Sequence, residues 1–308
     1  MGKRMQVLVA IVLLVIPVIG VSAIDVGLVV TNMSAESQSR VANAFQDQAE
    51  RRGWDVTLHN SQSSMQRQSD QVDNLVTARV DAIVMAMAHT SEIRPSLDRA
   101  IRAGIPIITI DSGYADGVVA DITANNFVMG AKVSTYLVDS LGGEGDIVVL
   151  KFEKHFGTRR RGKVLDQVLS EYPGINVLAE YGVVASARYM EDTRSAMETY
   201  ATRYGRRIDA VWCAFDQLAY AASDVLFERG ITDAIITGVD GNEETFRRIE
   251  GGRMTATVAQ PFEEMAATAV NLVRDIVVRG MDPDDAAPAK IIYVDAPLVD
   301  ENNVDEHR

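Results

Sequence analysis

One cysteine, Cys213, is present in 308 residues, so no intrachain disulfide can form. It sits in Val211-Trp212-Cys213-Ala214-Phe215, where an inert core thiol is expected. Histidine is scarce too. His59, His89, His155 and His307 show no i, i+4 pairing and have no cysteine partner, so no metal site is expected. Positive charge is in short supply: 30 Lys and Arg face 43 Asp and Glu, a net charge of −13. Such a surface repels nucleic acid and anionic membrane, so neither is expected as a partner. Glycine is missing where a dinucleotide would need it. Thr31-Asn32-Met33-Ser34-Ala35-Glu36, which follows the first apolar run, contains none of the G-x-G-x-x-G pattern. G-x-S-x-G is absent and no Ser-His-Asp set can be assembled, so the chain is not expected to be an enzyme or to carry a cofactor.

What is present begins with residues 1–23, MGKRMQVLVAIVLLVIPVIGVSA. Lys3 and Arg4 give a positive start, Val7 to Ile19 form an apolar stretch, and Val21-Ser22-Ala23 supplies a small-residue cleavage pattern. That order predicts a signal peptide and a periplasmic or otherwise extracytoplasmic destination. The apolar run is also close to the minimum spanning length, so retention as a membrane anchor is the alternative. No cysteine lies nearby for lipid attachment.

Beyond the leader, short apolar runs alternate with amphipathic segments. The runs 81–87, 105–110, 146–150, 175–181, 209–215 and 234–239 read as strands apolar on both faces, as in a parallel sheet covered by helices. Val41, Phe45 and Ala49, then Ile93, Leu97 and Ile101, then Met265, Ala269, Leu272 and Ile276, recur at helical spacing. Gly53, Gly104 and Gly230 stand where helices end. Strict alternation predicts an α/β fold of right-handed βα units. It lasts too long for one sheet, and Gly142-Gly143-Glu144-Gly145 opens a second. The expected division is 24–124 plus 261–288 for one lobe and 125–260 plus 289–308 for the other, with chain crossings near 124, 258–261 and 288.

Ligands of parallel sheets bind outside the carboxyl ends of the strands. Thr31, Asp111, Phe215 with Asp216, Asp240 and Gln260 stand at those ends. Asp111 and Asp240 would come from different lobes to one cleft, and carboxylates suit the vicinal hydroxyls of a sugar or polyol. Each also sits in a turn sequence, Asp111-Ser112-Gly113 and Asp240-Gly241-Asn242. Gly157-Thr158-Arg159-Arg160-Arg161-Gly162-Lys163-Val164 nearly spells a P-loop but places Val164 where a Ser or Thr must hold magnesium. Three cations at a helix start oppose its dipole, which favours at least one of them serving an anion or a hydroxylated ligand. His155, after the strand at 146–152, is expected to be exposed rather than to line the cleft.

In this order and spacing, VGLVVTN, AGIPIITIDS (103–112), RRRG (159–162), DAVWCAFDQLAYAA (209–222), ITGVDG (236–241) and GRMTATVAQ (252–260) make residues 24–295 resemble the periplasmic sugar-binding proteins of ABC transporters, ribose-binding type. The resemblance implies two Rossmann-like lobes with parallel sheets joined by a three-strand hinge (the type I periplasmic binding protein fold), closing over one small ligand. It implies that Asp111, Arg161, Asp240 and Gln260 hydrogen-bond that ligand, with Thr31 at the matching first strand end. The aromatic pattern departs from the ribose type. Ala35, Ser37 and Gln38 occupy places of an Asn and two Phe residues, Ser112 stands for an Arg, Phe215 for an Asn, and Val184 or Ala185 for an aromatic. By these places the resemblance makes Ser37, Gln38, Ser112 and Phe215 expected ligand contacts as well. The polar anchors are kept while the shape-reading wall changes, so another pentose or hexose, a short polyol or a furanosyl signal fits. The implied partner is an ABC permease; the alternative is a membrane receptor kinase that reads the closed form. A repressor of related core would carry a DNA-binding segment where this chain has its leader. A monomer is expected.

Overall fold

The computed structural model describes residues 23–184 and 188–307. The predicted leader therefore lies outside the described residues, save Ala23. Among the described residues no helix is long and apolar enough to cross a membrane.

The chain alternates as the sequence pattern predicts: β1 (Asp25–Val30), α1 (Glu36–Glu50), β2 (Asp55–Asn60), α2 (Met65–Ala78), β3 (Ala82–Ala86), α3 (Arg94–Arg102), β4 (Ile107–Ile110) and β5 (Ala120–Ala124). The second run is α4 (Asn126–Ser140), β6 (Glu144–Lys151), α5 (Phe156–Ser170), β7 (Gly174–Gly182), α6 (Tyr189–Tyr204), β8 (Ala210–Cys213), α7 (Asp216–Glu228), β9 (Ile235–Asp240), α8 (Glu243–Glu250) and β10 (Ala256–Ala259). Helix α9 (Phe262–Val273) and strands β11 (Ile291–Val294) and β12 (Leu298–Asp300) follow.

Two six-stranded sheets result, ordered β11-β5-β4-β3-β1-β2 and β12-β10-β9-β8-β6-β7. Every pairing is parallel except β10 with β12. The order 2-1-3-4-5 is thus repeated in each half, with a topological switch between β1 and β3 and again between β6 and β8, where α/β sheets open a ligand crevice. The chain passes between the sheets after β5, after β10, and between Val294 and Leu298. That last crossing corrects the expected one near 288, because β11 completes the first sheet through register with Asp121 to Ala124.

Helix faces carry the predicted residues inward. Val41, Phe45 and Ala49 of α1 are fully buried, as are Leu97 of α3 and Met265 and Ala269 of α9. Gly53, Gly104 and Gly230 take positive φ of 79°, 76° and 70°, the left-handed geometry that lets a helix stop without a Cβ clash. Cys213 is buried in β8, where burial pushes its thiol pKa well up, consistent with an inert core position. Beside it, Trp212 is fully buried and donates its Nε1–H to Ser134 Oγ at 3.1 Å. The run 175–181 departs from expectation. It lies in β7 at a sheet edge, where most of its side chains are exposed or half-buried.

Candidate ligand-binding cleft

The carboxyl ends of both sets of strands face one cavity of about 310 Å³, near the lower limit of small-molecule sites at ~300–1,000 Å³. Thr31, Ser37, Gln38 and Asp111 line it from the first sheet's side; Arg161, Phe215, Asp240 and Gln260 line it from the second. Ser112 does not. Its buried hydroxyl accepts from Ala88 N–H at 2.8 Å and faces the Ile110 and Met85 carbonyls, so it braces the strand ends rather than meeting a ligand.

A continuous polar rail crosses from one sheet to the other. Asp111 Oδ1 accepts from Thr123 Oγ1 at 2.7 Å and from Asn126 Nδ2 at 3.3 Å. Asn126 Oδ1 accepts from Arg161 Nε at 2.8 Å, and Arg161 Nη1 donates to the Ala214 carbonyl at 2.9 Å. The same Nη1 lies 3.9 Å from Asp240 Oδ1, which accepts from Gln260 Nε2 at 2.9 Å. Gln260 Oε1 is buried with no partner among the described residues. An orphaned buried acceptor is costly unless a donor arrives, and a ligand hydroxyl is such a donor.

Both rail carboxylates sit on positive-φ backbone, Asp111 at 46° and Asp240 at 145°, where a side-chain-bearing residue is strained. Each turn is pinned by a second buried carboxylate. Asp121 accepts from Ser112 N–H, Gly113 N–H and Thr109 Oγ1. Asp216 accepts from the N–H groups of Gly241 and Asn242 and the hydroxyls of Thr245 and Thr257. Burial raises the pKa of Asp121 to about 6. Burial also raises that of Asp216, against the pull of its hydrogen bonds. Asp240 is pushed up to about 7, first by burial and then by the charge of Asp216, against the opposing pull of Arg161 and Gln260.

Arg161 reaches the rail because two glycines let helices approach. A Cβ at Gly130 of α4 would stand 2.9 Å from Arg161 Cα, and one at Gly157 would stand 2.7 Å from Asn126 Oδ1. The near-P-loop segment is therefore the first turns of α5, and helical spacing sorts its three arginines. Arg161 points into the cleft, whereas Arg159 donates to the Glu153 carbonyl and Arg160 lies over the rings of Phe127 and Phe156.

Three aromatic side chains form one wall. Phe215 packs at 6.0 Å from Phe152 and 6.0 Å from Tyr189, ring centre to ring centre. Tyr189 is not among the residues the sequence singles out, where the resemblance leaves Val184 or Ala185 in the place of an aromatic. Val184 is exposed, and Ala185 lies outside the described residues. The aromatic comes instead from the first turn of α6, where burial raises the Tyr189 pKa to about 12 and keeps its hydroxyl a donor, to Gln217 Oε1 at 2.8 Å.

His155 corrects the expectation of an exposed residue. It lines the cavity, caps α5 by accepting Gly157 N–H at Nδ1, and places Nε2 3.1 Å from the Asp111 carbonyl. Those two bonds require the neutral Nε2–H tautomer, and burial lowers its pKa to about 4. Thr31 lines the cavity with its hydroxyl already committed, donating to the Met87 carbonyl at 2.8 Å and accepting from Gln68 at 3.0 Å. Gln38 Oε1 accepts from Asn32 N–H at 2.6 Å, and Ser37 Oγ faces Met87 Sδ at 3.9 Å. Asn126 went unnoticed in the sequence because its role, joining Asp111 to Arg161, arises only when α4 follows the first chain crossing.

The periplasmic binding protein domain profile matches residues 26–280. The chain belongs to the periplasmic binding protein family. Among its relatives is the xylitol-binding protein of Mycolicibacterium smegmatis, 28% identical over 254 residues, which cover 82% of this chain and 70% of that one. The D-allose-binding periplasmic protein of Escherichia coli is 26% identical, covering 90% and 92% of the two chains. Among solved structures, an ABC transporter solute-binding protein of Agrobacterium vitis with bound allitol superposes at a TM-score of 0.81 with 26% identity, covering 92% and 97%. This periplasmic binding protein has the two-lobed fold of that family, and its lobes touch around the cavity, as the His155–Asp111 bond already shows.

Proposed function

We propose that this chain is an exported solute-binding protein that captures a small polyhydroxylated ligand, a monosaccharide or an alditol, between two closing lobes. The observation that carries the reading is the rail from Asp111 through Asn126, Arg161 and Asp240 to Gln260, ending in an orphaned acceptor and facing a cavity of about 310 Å³. Alternating acceptors and donors of this kind satisfy hydroxyl groups, which both give and receive hydrogen bonds. The aromatic wall of Phe152, Tyr189 and Phe215 suits the C–H face of the same ligand. Relatives that bind xylitol and D-allose, and a neighbour holding allitol, support this ligand class. Delivery of the closed form to an ABC permease, export directed by residues 1–23, and Ser37 and Gln38 as adjustable contacts of the first lobe complete the proposal.

The test is a thermal-shift screen of pentoses, hexoses, alditols and cyclitols. A ligand that binds only the folded state raises the melting temperature by mass action, by about 2.7 kcal/mol of stability at a hundredfold excess over Kd. Failure of every polyhydroxylated compound to shift it overturns the reading.

A further inference from the structure

Helix α1 belongs to the first lobe, yet it grips the second. Glu36 N–H donates to Gln217 Oε1 at 3.1 Å, the same oxygen that holds the Tyr189 hydroxyl. One turn later, Arg40 Nη1 donates to the Gly241 carbonyl at 2.8 Å and to Asn242 Oδ1 at 3.0 Å, and lies 3.3 Å from the Asp240 carbonyl. The rest of the guanidinium is aimed from its own lobe. Nε and Nη2 donate to the two oxygens of Glu263 on α9 at 3.2 and 3.0 Å, and the group lies 5.1 Å from the centre of the Phe262 ring. Neither Arg40 nor Glu36 lines the cavity.

We propose that Arg40 is a positioning residue for ligand binding: it clasps the carbonyl face of the Asp240 turn when the lobes meet, so that affinity is set in part from outside the cavity. The turn needs such a clasp because Asp240 holds a strained φ of 145°. Its N–H face is pinned by Asp216 within its own lobe. Its carbonyl face is held across the cleft by Arg40. Both faces are fixed together only in the closed arrangement, which gives the closed state an interaction the open one lacks and biases the equilibrium toward it. A guanidinium is suited to this work, since its rigid fork serves Glu263 and the turn at once, whereas a lysine ammonium supplies a single point. The ligand-binding part rests on the function proposed above; the closure part does not.

The experiment compares wild type with Arg40→Met, which keeps an apolar stem against Phe262, and with Arg40→Lys. Distances between spin labels at Glu50→Cys and Glu171→Cys, with the native Cys213 buried out of reach, report lobe separation with and without xylitol, D-allose or allitol. Stopped-flow binding of whichever probe binds gives the rates. Arg40→Met should shift the distances toward the open form and raise the dissociation rate by about tenfold or more, with association changed little, as expected when a contact of the final complex is lost. Arg40→Lys should fall between. Unchanged distances and an unchanged dissociation rate in a folded Arg40→Met protein overturn the proposal, and so does loss of the ligand-free fold, which would make Arg40 a residue of stability alone. If none of the three probes binds wild type, the distances by themselves decide the clasp, and the proposed function stands or falls on the wider screen above.

Discussion

Asp240 has a pKa pushed up to about 7 in the folded chain, and that gives the site a pH signature of defined sign. In the unfolded chain the carboxyl loses its proton near the ordinary carboxylate range, so between about pH 4 and 7 the folded protein holds a proton the unfolded chain has released. The resulting stability is present below the unfolded value and is lost as pH rises through about 7. Asp121, raised to about 6, adds to the same trend. Ligand hydroxyls donate best to the ionised carboxylate, so affinity should move the opposite way, rising from about pH 5.5 to 8. Calorimetry at pH 6.5 in buffers of different ionisation enthalpy should detect net proton release on binding; a pH-independent affinity with no release contradicts the role of Asp240. Asp111→Ala and Asp240→Asn should each weaken binding, by about 1–3 kcal/mol where a buried partner is left unpaired and more where the charge mattered. Calorimetry of the two variants against the ligand found by screening checks this.

At the scale of the element, the approach of α4 to α5 decides whether Arg161 can stand in the rail. Gly130→Val should push α5 away, because even a Cβ meets the Arg161 backbone at 2.9 Å, and ligand affinity should fall together with stability. Gly238→Ala on β9 is a sharper test, since its Cβ would stand 2.3 Å from Asp216 Oδ1. The displaced carboxylate would release the Asp240 turn. We expect a stability loss of about 1–3 kcal/mol by denaturant titration, with binding lost beyond what that loss explains. Much of this framework was legible in the sequence for a physical reason: a parallel strand is an apolar run that stops at its functional end, so Asp111, Asp240 and Gln260 announce themselves as the first polar residue after each run. That one of the three arginines at the start of α5 serves a ligand was legible because cations there oppose the helix dipole, while the choice of Arg161 among them came only from the family resemblance. Asn126 and Tyr189 carry no such local signal, since their value comes from neighbours distant in sequence, Arg161 and Gln217. Ser112 failed for the converse reason. Its position after Asp111 was right, but the positive φ at Asp111 turns the chain, and the next side chain points back among the strand ends.

For the molecule as a whole, the rail has a consequence that no single residue shows. Its first carboxylate belongs to the β4 end in one sheet, and its last three members to the α5, β9 and β10 ends in the other. A ligand that uses both ends has full affinity only for the arrangement in which the lobes meet, and can shift the population only by that difference. Small-angle scattering should therefore show the wild-type radius of gyration falling when ligand is added. Asp111→Ala and Asp240→Ala should each blunt the compaction even at ligand concentrations that restore occupancy, because each leaves the ligand anchored to one lobe. The two variants damage opposite lobes, so a purely local account predicts independent effects, and the doubly substituted protein should lose the sum of both. Closure predicts otherwise: once either end of the rail is gone, the second substitution has less left to remove, and the two losses should fall short of additive. Additive losses with undiminished compaction would show instead that the rail holds its ligand without drawing the lobes together.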